Sequence, residues 1–351
     1  MTDTKIPGTP RSRPDASERE LHTAYDTALL DLDGVVYAGG DALPHAVASL
    51  RAAEADGMGL AYVTNNAART PETVAGHLTS LGVPADASEV VTSAQAVARV
   101  IADDVPAGSR VLCSGGEGLR VALRERGLVP VDSADDGPVA VVQGYGGPDM
   151  RWALVSEAAL AVSRGVPWYA SNTDLTIPSG RGIMPGNGTA VEVVRLAAGR
   201  EEGPVVAGKP LPPMHRETIL RTGARRPLVV GDRLDTDIEG AYAGGVDSLL
   251  VLTGVTTPAV LLAARPDHRP TYVAADLRGL LVPHPEVVRD GDGWRCGGVR
   301  ALVRDGRLAV EGEGDALDGL RALCAAAWTD AGEGRCGLPA DEALERLGLG
   351  A

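Results

Sequence analysis

The chain has 351 residues, 44% of them hydrophobic, which is more than one ordinary domain needs and enough for a substantial core. Phe is absent and aromatics make up 3%, so Val, Leu and Ala must do most of the packing. A formal charge of −14 argues against nucleic-acid and anionic-membrane partners, whose phosphates need a basic footprint, and an anionic substrate therefore needs a local electropositive site.

The first 23 residues open with MTDTKIPGTPRSRPDASERE, a polar, Pro-containing run without an apolar segment, and read as a disordered tail. No later stretch supplies about 18 uninterrupted apolar residues, so the expectation is a cytoplasmic protein without a membrane span. Apolar strand-like runs then alternate with amphipathic helical patterns. This is the signature of a largely parallel sheet covered by helices, an α/β fold. The clearest strands are TALLDLD, MGLAYVT, PLVVGD and SLLVLTG. PETVAGHLTSLG reads as a helix with Thr70 as N-cap, Pro71 at its first position and Gly82 as its stop. A second α/β pattern between about residues 92 and 187 (RVLCSGGEGLRVALRERG, PVAVVQG, a helix from about Arg151, PWYAS) suggests an inserted domain. Within it GGEGLRV matches a dinucleotide loop only in part, because Val121 replaces the third glycine, and a structural turn is the preferred reading. Beyond about residue 283, GGVRALVRDGRLAVEG reads as two strands joined at Asp305-Gly306. The helix DALDGLRALCAAAWTDAG follows, with Leu317, Leu320, Cys324 and Trp328 on one stripe, making a small α+β appendage. Cys113, Cys296, Cys324 and Cys336 are scattered without metal-ligand spacing and read as reduced thiols.

Asp31 and Asp33 interrupt the first apolar strand, where a carboxylate is costly unless a cation or donors meet it. A calcium loop is ruled out, since Val35 stands at its fifth position and the twelfth lacks Glu. Three further strand ends or turns are polar: Val63 to Asn66 (VTNN), Lys209 in AGKP, and VVGDRLDTD with Asp232, Asp235 and Asp237. In an open parallel sheet the carboxyl ends of neighbouring strands line one crevice, so these segments can converge. Together they make chemical sense as a phosphomonoester hydrolase. Asp31 is the nucleophile, forming an aspartyl-phosphate. Mg²⁺ is held by Asp31, the backbone carbonyl of Asp33 and Asp232. The Asp33 carboxyl protonates the leaving alkoxide and then deprotonates water. Thr64 and Lys209 bind phosphoryl oxygens, Asn65 and Asn66 join the substrate-binding set, and Asp237 orients Lys209.

DLDGV, VTNN, GKP and GDRLDTD, in this order, resemble the four motifs of the haloacid dehalogenase (HAD) superfamily. The TNN triplet, the insertion and PGNG at Pro185 to Gly188 are similar to its class IIA branch, the NagD-like or p-nitrophenylphosphatase group. The resemblance implies a Rossmann-like core over 24–91 and 188–282, an inserted α/β C2-type cap over 92–187, and a C-terminal module over 283–351. That module looks like the degenerate acetyltransferase-like end of D-glycerol-3-phosphate phosphatases. It lacks a Gly-rich pyrophosphate loop, so packing or oligomerisation is expected there rather than acetyl-CoA chemistry, which leaves a homodimer open. The implied partner is a small phosphorylated metabolite, with glycerol 3-phosphate the best guess. Alternatives are another sugar or nucleotide monophosphate, or a regulatory role on a HAD scaffold. In class IIA relatives the cap segment corresponding to Ser171–Gly188 faces the leaving group. Asn172 and Asp174 would there hydrogen-bond hydroxyls, or cap the loop, while Ile177 and Met184 limit space.

Overall fold

In the computed structural model, which describes residues 11–83, 85–179, 181–332 and 337–350, the apolar runs Thr27–Leu30, Pro227–Gly231, Asp247–Val251 and Tyr272–Ala274 pair in parallel. Leu30 lies opposite Val230 and Val230 opposite Leu249, and all three are buried, as continuous apolar runs covered on both faces should be. The chain divides into two units, Met1–Leu60 with Ala224–Ala351, and Ala61–Gly223.

The first unit also contains the C-terminal residues. Strands Val288–Asp290, Gly293–Cys296, Val299–Arg304 and Arg307–Gly312 form an antiparallel sheet. Asp305 and Gly306 join the last two, at φ +50° and +73°, the pair of left-handed residues that a tight hairpin requires. Helix Ala316–Gly332 packs on this sheet with Leu320, Cys324 and Trp328 buried. Its other contacts reach helix Pro258–Leu262, Arg269 and the parallel strand Tyr272–Ala274. Trp328 Nε1 donates to Leu261 O at 3.2 Å, Arg321 Nη2 donates to Val273 O at 2.7 Å, and the Arg269 guanidinium lies 5.5 Å over the Trp328 ring. Leu250, Leu261 and Val273 therefore share one core with Leu320, Leu323 and Trp328. The appendage expected at 283–351 is fused to the sheet that precedes it.

Residues 11–23, expected to be part of a disordered tail, are instead fastened to this unit. Arg11 Nη2 donates to Asp247 Oδ1 at 2.7 Å, Arg269 Nη1 donates to Arg11 O at 2.8 Å, and Asp15 N donates to Thr271 O at 2.8 Å. Helix Leu21–Ala24 follows, with Leu21 buried. Polar composition misled here because these side chains pair with each other and with distant backbone. Residues 1–10, and Cys336, lie outside the described residues.

The second unit holds strand residues up to Thr64, which pair in parallel with Val90–Thr92, and helix Pro71–Ser80, where Thr70 Oγ1 accepts from Thr73 N as its cap. A separate all-parallel sheet runs in the order Val205–Val206, Trp168–Ala170, Ala140–Gln143, Arg110–Ser114, Val129–Val131. Its core includes Val191, Val194 and Val206, so the insertion expected to end at residue 187 extends in packing through helix Asn187–Ala197 to residue 206. The GGEG turn is a packing device. A Cβ on Gly118 would lie 2.4 Å from Arg69 O, and on Gly116 3.0 Å from Ala68 Cα. Glu217, fully buried, accepts from Arg99, Arg126 and Arg221 and ties helix Pro212–Thr222 to helix Ser93–Asp104. Among the described residues no helix is long and apolar enough to cross a membrane.

Candidate active site

In the first unit the strand ends at Leu30 and the chain turns through Asp31 to Gly34. Asp31 N donates to Val230 O at 2.8 Å, which carries the ladder one residue past the strand and leaves Asp31 half-buried at its carboxyl end. Asp33, two residues on, is exposed. Strand Pro227–Gly231 delivers Asp232, and the single π-turn Leu234–Ile238 delivers Asp237; each of these aspartates is 1% exposed. One carboxylate oxygen each from Asp31, Asp232 and Asp237 lies within 4.8 Å of the others. Asp237 thus stands in the acid cluster itself, beyond the lysine-orienting role that its spacing suggested. Asp235 turns away onto Arg233, at 2.8 Å. Burial opposes ionisation of the Asp235 carboxyl, but hydrogen bonds from Arg233 outweigh it and hold its pKa below the usual carboxylate range.

The cluster is built by close approach. Val255 N donates to Asp232 Oδ2 at 2.7 Å, and Arg233 N donates to Asp237 Oδ2 at 3.2 Å. A Cβ on Gly34, where φ is +84°, would stand 2.5 Å from Asp232 Oδ2, one on Gly254 1.9 Å from the same oxygen, and one on Gly231 2.2 Å from Asp237 Cβ. Three glycines therefore form a cradle for Asp232 and Asp237, which with Asp31 make three hard oxygen donors. Like charges so close and so buried repel unless a cation sits among them, and an all-oxygen set suits Mg²⁺. The sequence pattern places Thr253 and Gly254 at the end of strand SLLVLTG, but the strand stops at Val251 and they belong to the turn that meets Asp232; the sequence signal is the Gly closing that apolar run.

The second unit holds the other expected residues. Thr64, 7% exposed, accepts from Asn66 N through Oγ1 at 3.1 Å, and Asn66 Oδ1 accepts from Ala68 N at 2.8 Å, so both side chains shape the turn after the strand. Lys209 is half-buried and its Nζ donates to Val63 O at 3.2 Å. Asn65 joins this turn to Lys209 and to the carboxylate of Asp174, 3.2 Å from its Nδ2. Asn172 is 3% exposed, with Nδ2 donating to Asn65 O at 2.7 Å and Oδ1 accepting from Asp174 N at 3.1 Å. Of its two expected uses, loop-building is the one this geometry displays. Ile177 is half-buried and pairs with Met184 across the hairpin Thr176–Ser179/Gly182–Pro185.

Comparison with known proteins agrees with these motifs. Residues 28–129 match the haloacid dehalogenase-like hydrolase family, residues 206–280 a HAD-hydrolase-like family, and residues 296–349 a GCN5-related N-acetyltransferase like domain. A D-glycerol 3-phosphate phosphatase of Mycobacterium tuberculosis is 42% identical over 318 residues, 88% of this chain and 88% of its own length. An acid sugar phosphatase of Staphylococcus saprophyticus is 36% identical over 259 residues, 73% of this chain and 97% of its own. The crystal structure of a glycerol phosphate phosphatase from Mycobacterium tuberculosis in complex with magnesium superposes with a TM-score of 0.82 at 39% identity, over 94% of this chain and 99% of that one. Motif order, acid cluster and similarity over most of the length lead to one assignment: the chain belongs to the haloacid dehalogenase-like hydrolase family.

Proposed function

We propose that the chain is a Mg²⁺-dependent phosphatase of small phosphomonoesters, with glycerol 3-phosphate its substrate. The observation that carries this reading is the convergence of Asp31 with Asp232 and Asp237, the last two held in a glycine cradle. Those three aspartates and the backbone carbonyl of Asp33 would hold Mg²⁺. When bound, the ion neutralises charge on the phosphoryl group. Asp31 attacks phosphorus through a carboxylate oxygen, and the bond from phosphorus to the leaving oxygen breaks. The Asp33 carboxyl, exposed and thus able to reach solvent and leaving group, gives its proton to that oxygen. In the second half Asp33 takes a proton from water, the water oxygen attacks phosphorus, and inorganic phosphate leaves Asp31 regenerated. Thr64 and Lys209 contribute a hydroxyl and a cation to the phosphoryl oxygens. Asp174 recognises the hydroxyls of the polyol, and Ile177 limits its size.

The names of the two relatives, a D-glycerol 3-phosphate phosphatase and an acid sugar phosphatase, support a small polar leaving group. We place the enzyme in the cytoplasm, acting on a metabolite rather than on nucleic acid or membrane, a reading supported by the −14 charge and by Cys113, Cys296 and Cys324, which are buried and unpaired. The test is phosphate release from p-nitrophenyl phosphate and from glycerol 3-phosphate, with Mg²⁺ and with excess EDTA, in wild type, Asp31→Asn and Asp33→Asn. Asp31→Asn is expected to be inactive and Asp33→Asn nearly so, by orders of magnitude, because phosphomonoesters are among the slowest uncatalysed hydrolyses. Substantial activity in Asp31→Asn, or full activity in chelator, overturns the reading.

A further inference from the structure

An asparagine side chain offers two N–H donors and one carbonyl acceptor, and Asn65 commits all of them inside its own unit. Its Oδ1 accepts from Lys209 N at 2.8 Å, and its Nδ2 donates to Lys209 O at 3.2 Å and to the Asp174 carboxylate at 3.2 Å. The amide therefore clasps the main chain of Lys209 at two points, as a neighbouring strand would, and spends its remaining donor capacity on Asp174. Its backbone carbonyl is held as firmly, accepting from Ser93 Oγ at 2.6 Å and from Asn172 Nδ2 at 2.7 Å. Independent support comes from Gly208, the residue before the lysine. A Cβ there would lie 2.7 Å from Asn65 Oδ1 and 2.4 Å from Ser171 O, so the segments meet too closely for any side chain. The strand-end motif VTNN placed Asn65 among the substrate ligands, yet this geometry leaves its side chain no donor for a phosphate.

We propose that Asn65 is a positioning residue that locks the Asp174 carboxylate to the Lys209 backbone, so that substrate selection at Asp174 is fixed in register with the phosphate-binding lysine. The proposal rests on the phosphatase reading and on Asp174 as selector. It makes a distinctive demand: the pair works as one amide and one carboxylate. Asn65→Asp is nearly isosteric but sets two carboxylates about 3 Å apart, where like charges disfavour each other strongly. Exchanging the partner as well, in Asn65→Asp/Asp174→Asn, restores one N–H donor facing one carboxylate, although each change alone is unfavourable.

The experiment measures kcat/KM for glycerol 3-phosphate, propyl phosphate and p-nitrophenyl phosphate in wild type, Asn65→Asp, Asp174→Asn and the double variant, with Mg²⁺, alongside thermal unfolding of each. Asn65→Asp is expected to lose about 10- to 100-fold on glycerol 3-phosphate, the scale of a lost hydrogen bond to a charged group, and less on the two substrates without hydroxyls. The double variant is expected to exceed Asn65→Asp on glycerol 3-phosphate and to melt at a higher temperature. Equal losses on all three substrates, together with a double variant no better than Asn65→Asp, overturn the proposal. If Asn65→Asp is insoluble, Asn65→Ser in its place must narrow the preference for glycerol 3-phosphate over propyl phosphate, and an unchanged preference counts against the lock. Should wild type hydrolyse none of the three, the phosphatase reading falls by itself. The lock is then decided on unfolding alone, where additive shifts for the two single substitutions overturn it.

Discussion

Gly254 makes the sharpest demand at the scale of a residue, since a methyl group there would stand 1.9 Å from Asp232 Oδ2. Gly254→Ala must move either the loop or the carboxylate, and the Val255 N to Asp232 Oδ2 bond moves with it. The expected outcome is a loss of at least about tenfold in apparent Mg²⁺ affinity, with the chain still folded, because one misplaced donor from an otherwise intact set is the usual scale of such damage. Metal titration of activity against that of wild type checks it, and an unchanged titration removes the cradle from the account. Asp31 and Asp232 were legible because carboxylates end two apolar strands in a chain that also carries the VTNN and AGKP turns in order, whereas Asp237 was expected to orient Lys209 rather than to join the cluster. Gly254 was not legible, since its meaning lies in an approach across 22 residues of chain. Asn65 and Asn172 were legible as polar residues near the site, with loop-capping among the uses expected of Asn172, but not which backbone groups they hold, because a sequence does not tell an amide that meets substrate from one consumed by backbone.

Among elements, helix Ala316–Gly332 binds the C-terminal sheet to the parallel strands through Leu320, Leu323, Trp328 and Arg321. Its removal uncovers Leu250, Leu261 and Val273 and leaves Val273 O and Leu261 O without the donors from Arg321 and Trp328. A chain cut at residue 283 is therefore expected to aggregate or unfold rather than survive as a working phosphatase, although no motif residue lies beyond the cut. Trp328→Ala is the milder version, expected to cost about 3–5 kcal/mol in denaturant unfolding. A soluble, active truncation would show that this shared core is dispensable. The hairpin at Asp305-Gly306, the stripe of the long helix and the cap at Thr70 were all readable locally, since each is decided by a few adjacent residues. What escaped was long-range. The strap formed by Arg11 and Asp15 has the composition of a solvated tail, and the extension of the inserted sheet to Val205–Val206 follows a helix that by itself fits either unit.

For the molecule as a whole, the acid cluster links metal to stability. Asp232 and Asp237 are buried beside Asp31, so the native state without an ion carries a repulsion that the unfolded chain escapes. An ion that binds only the native state stabilises it by mass action, about 2.7 kcal/mol at a hundred times Kd. Mg²⁺ is accordingly expected to raise the melting temperature of wild type by several degrees and to leave that of Asp232→Ala nearly unchanged. A calorimetric scan with EDTA and with saturating Mg²⁺ checks this, and equal shifts in both proteins would place the stabilising ion elsewhere.

The fastening of the N-terminus also sets an order of events during synthesis. Arg11 bonds to Asp247, 236 residues later, and Arg269 returns to Arg11 O. The helix that closes over the parallel strands is not translated until Gly332. The first strand, although among the earliest residues to leave the ribosome, meets its partner at Val230 only when two thirds of the message has been read. The five-stranded sheet from Arg110–Ser114 to Val205–Val206, by contrast, pairs entirely within itself and can close while the rest is still being made. Synthesis is thus a middle-first process in which the opening segment waits for the end of the chain, and ribosomes stalled far enough beyond residue 223 to have released it should carry a protease-resistant segment spanning the five-stranded sheet, flanked by digestible chain.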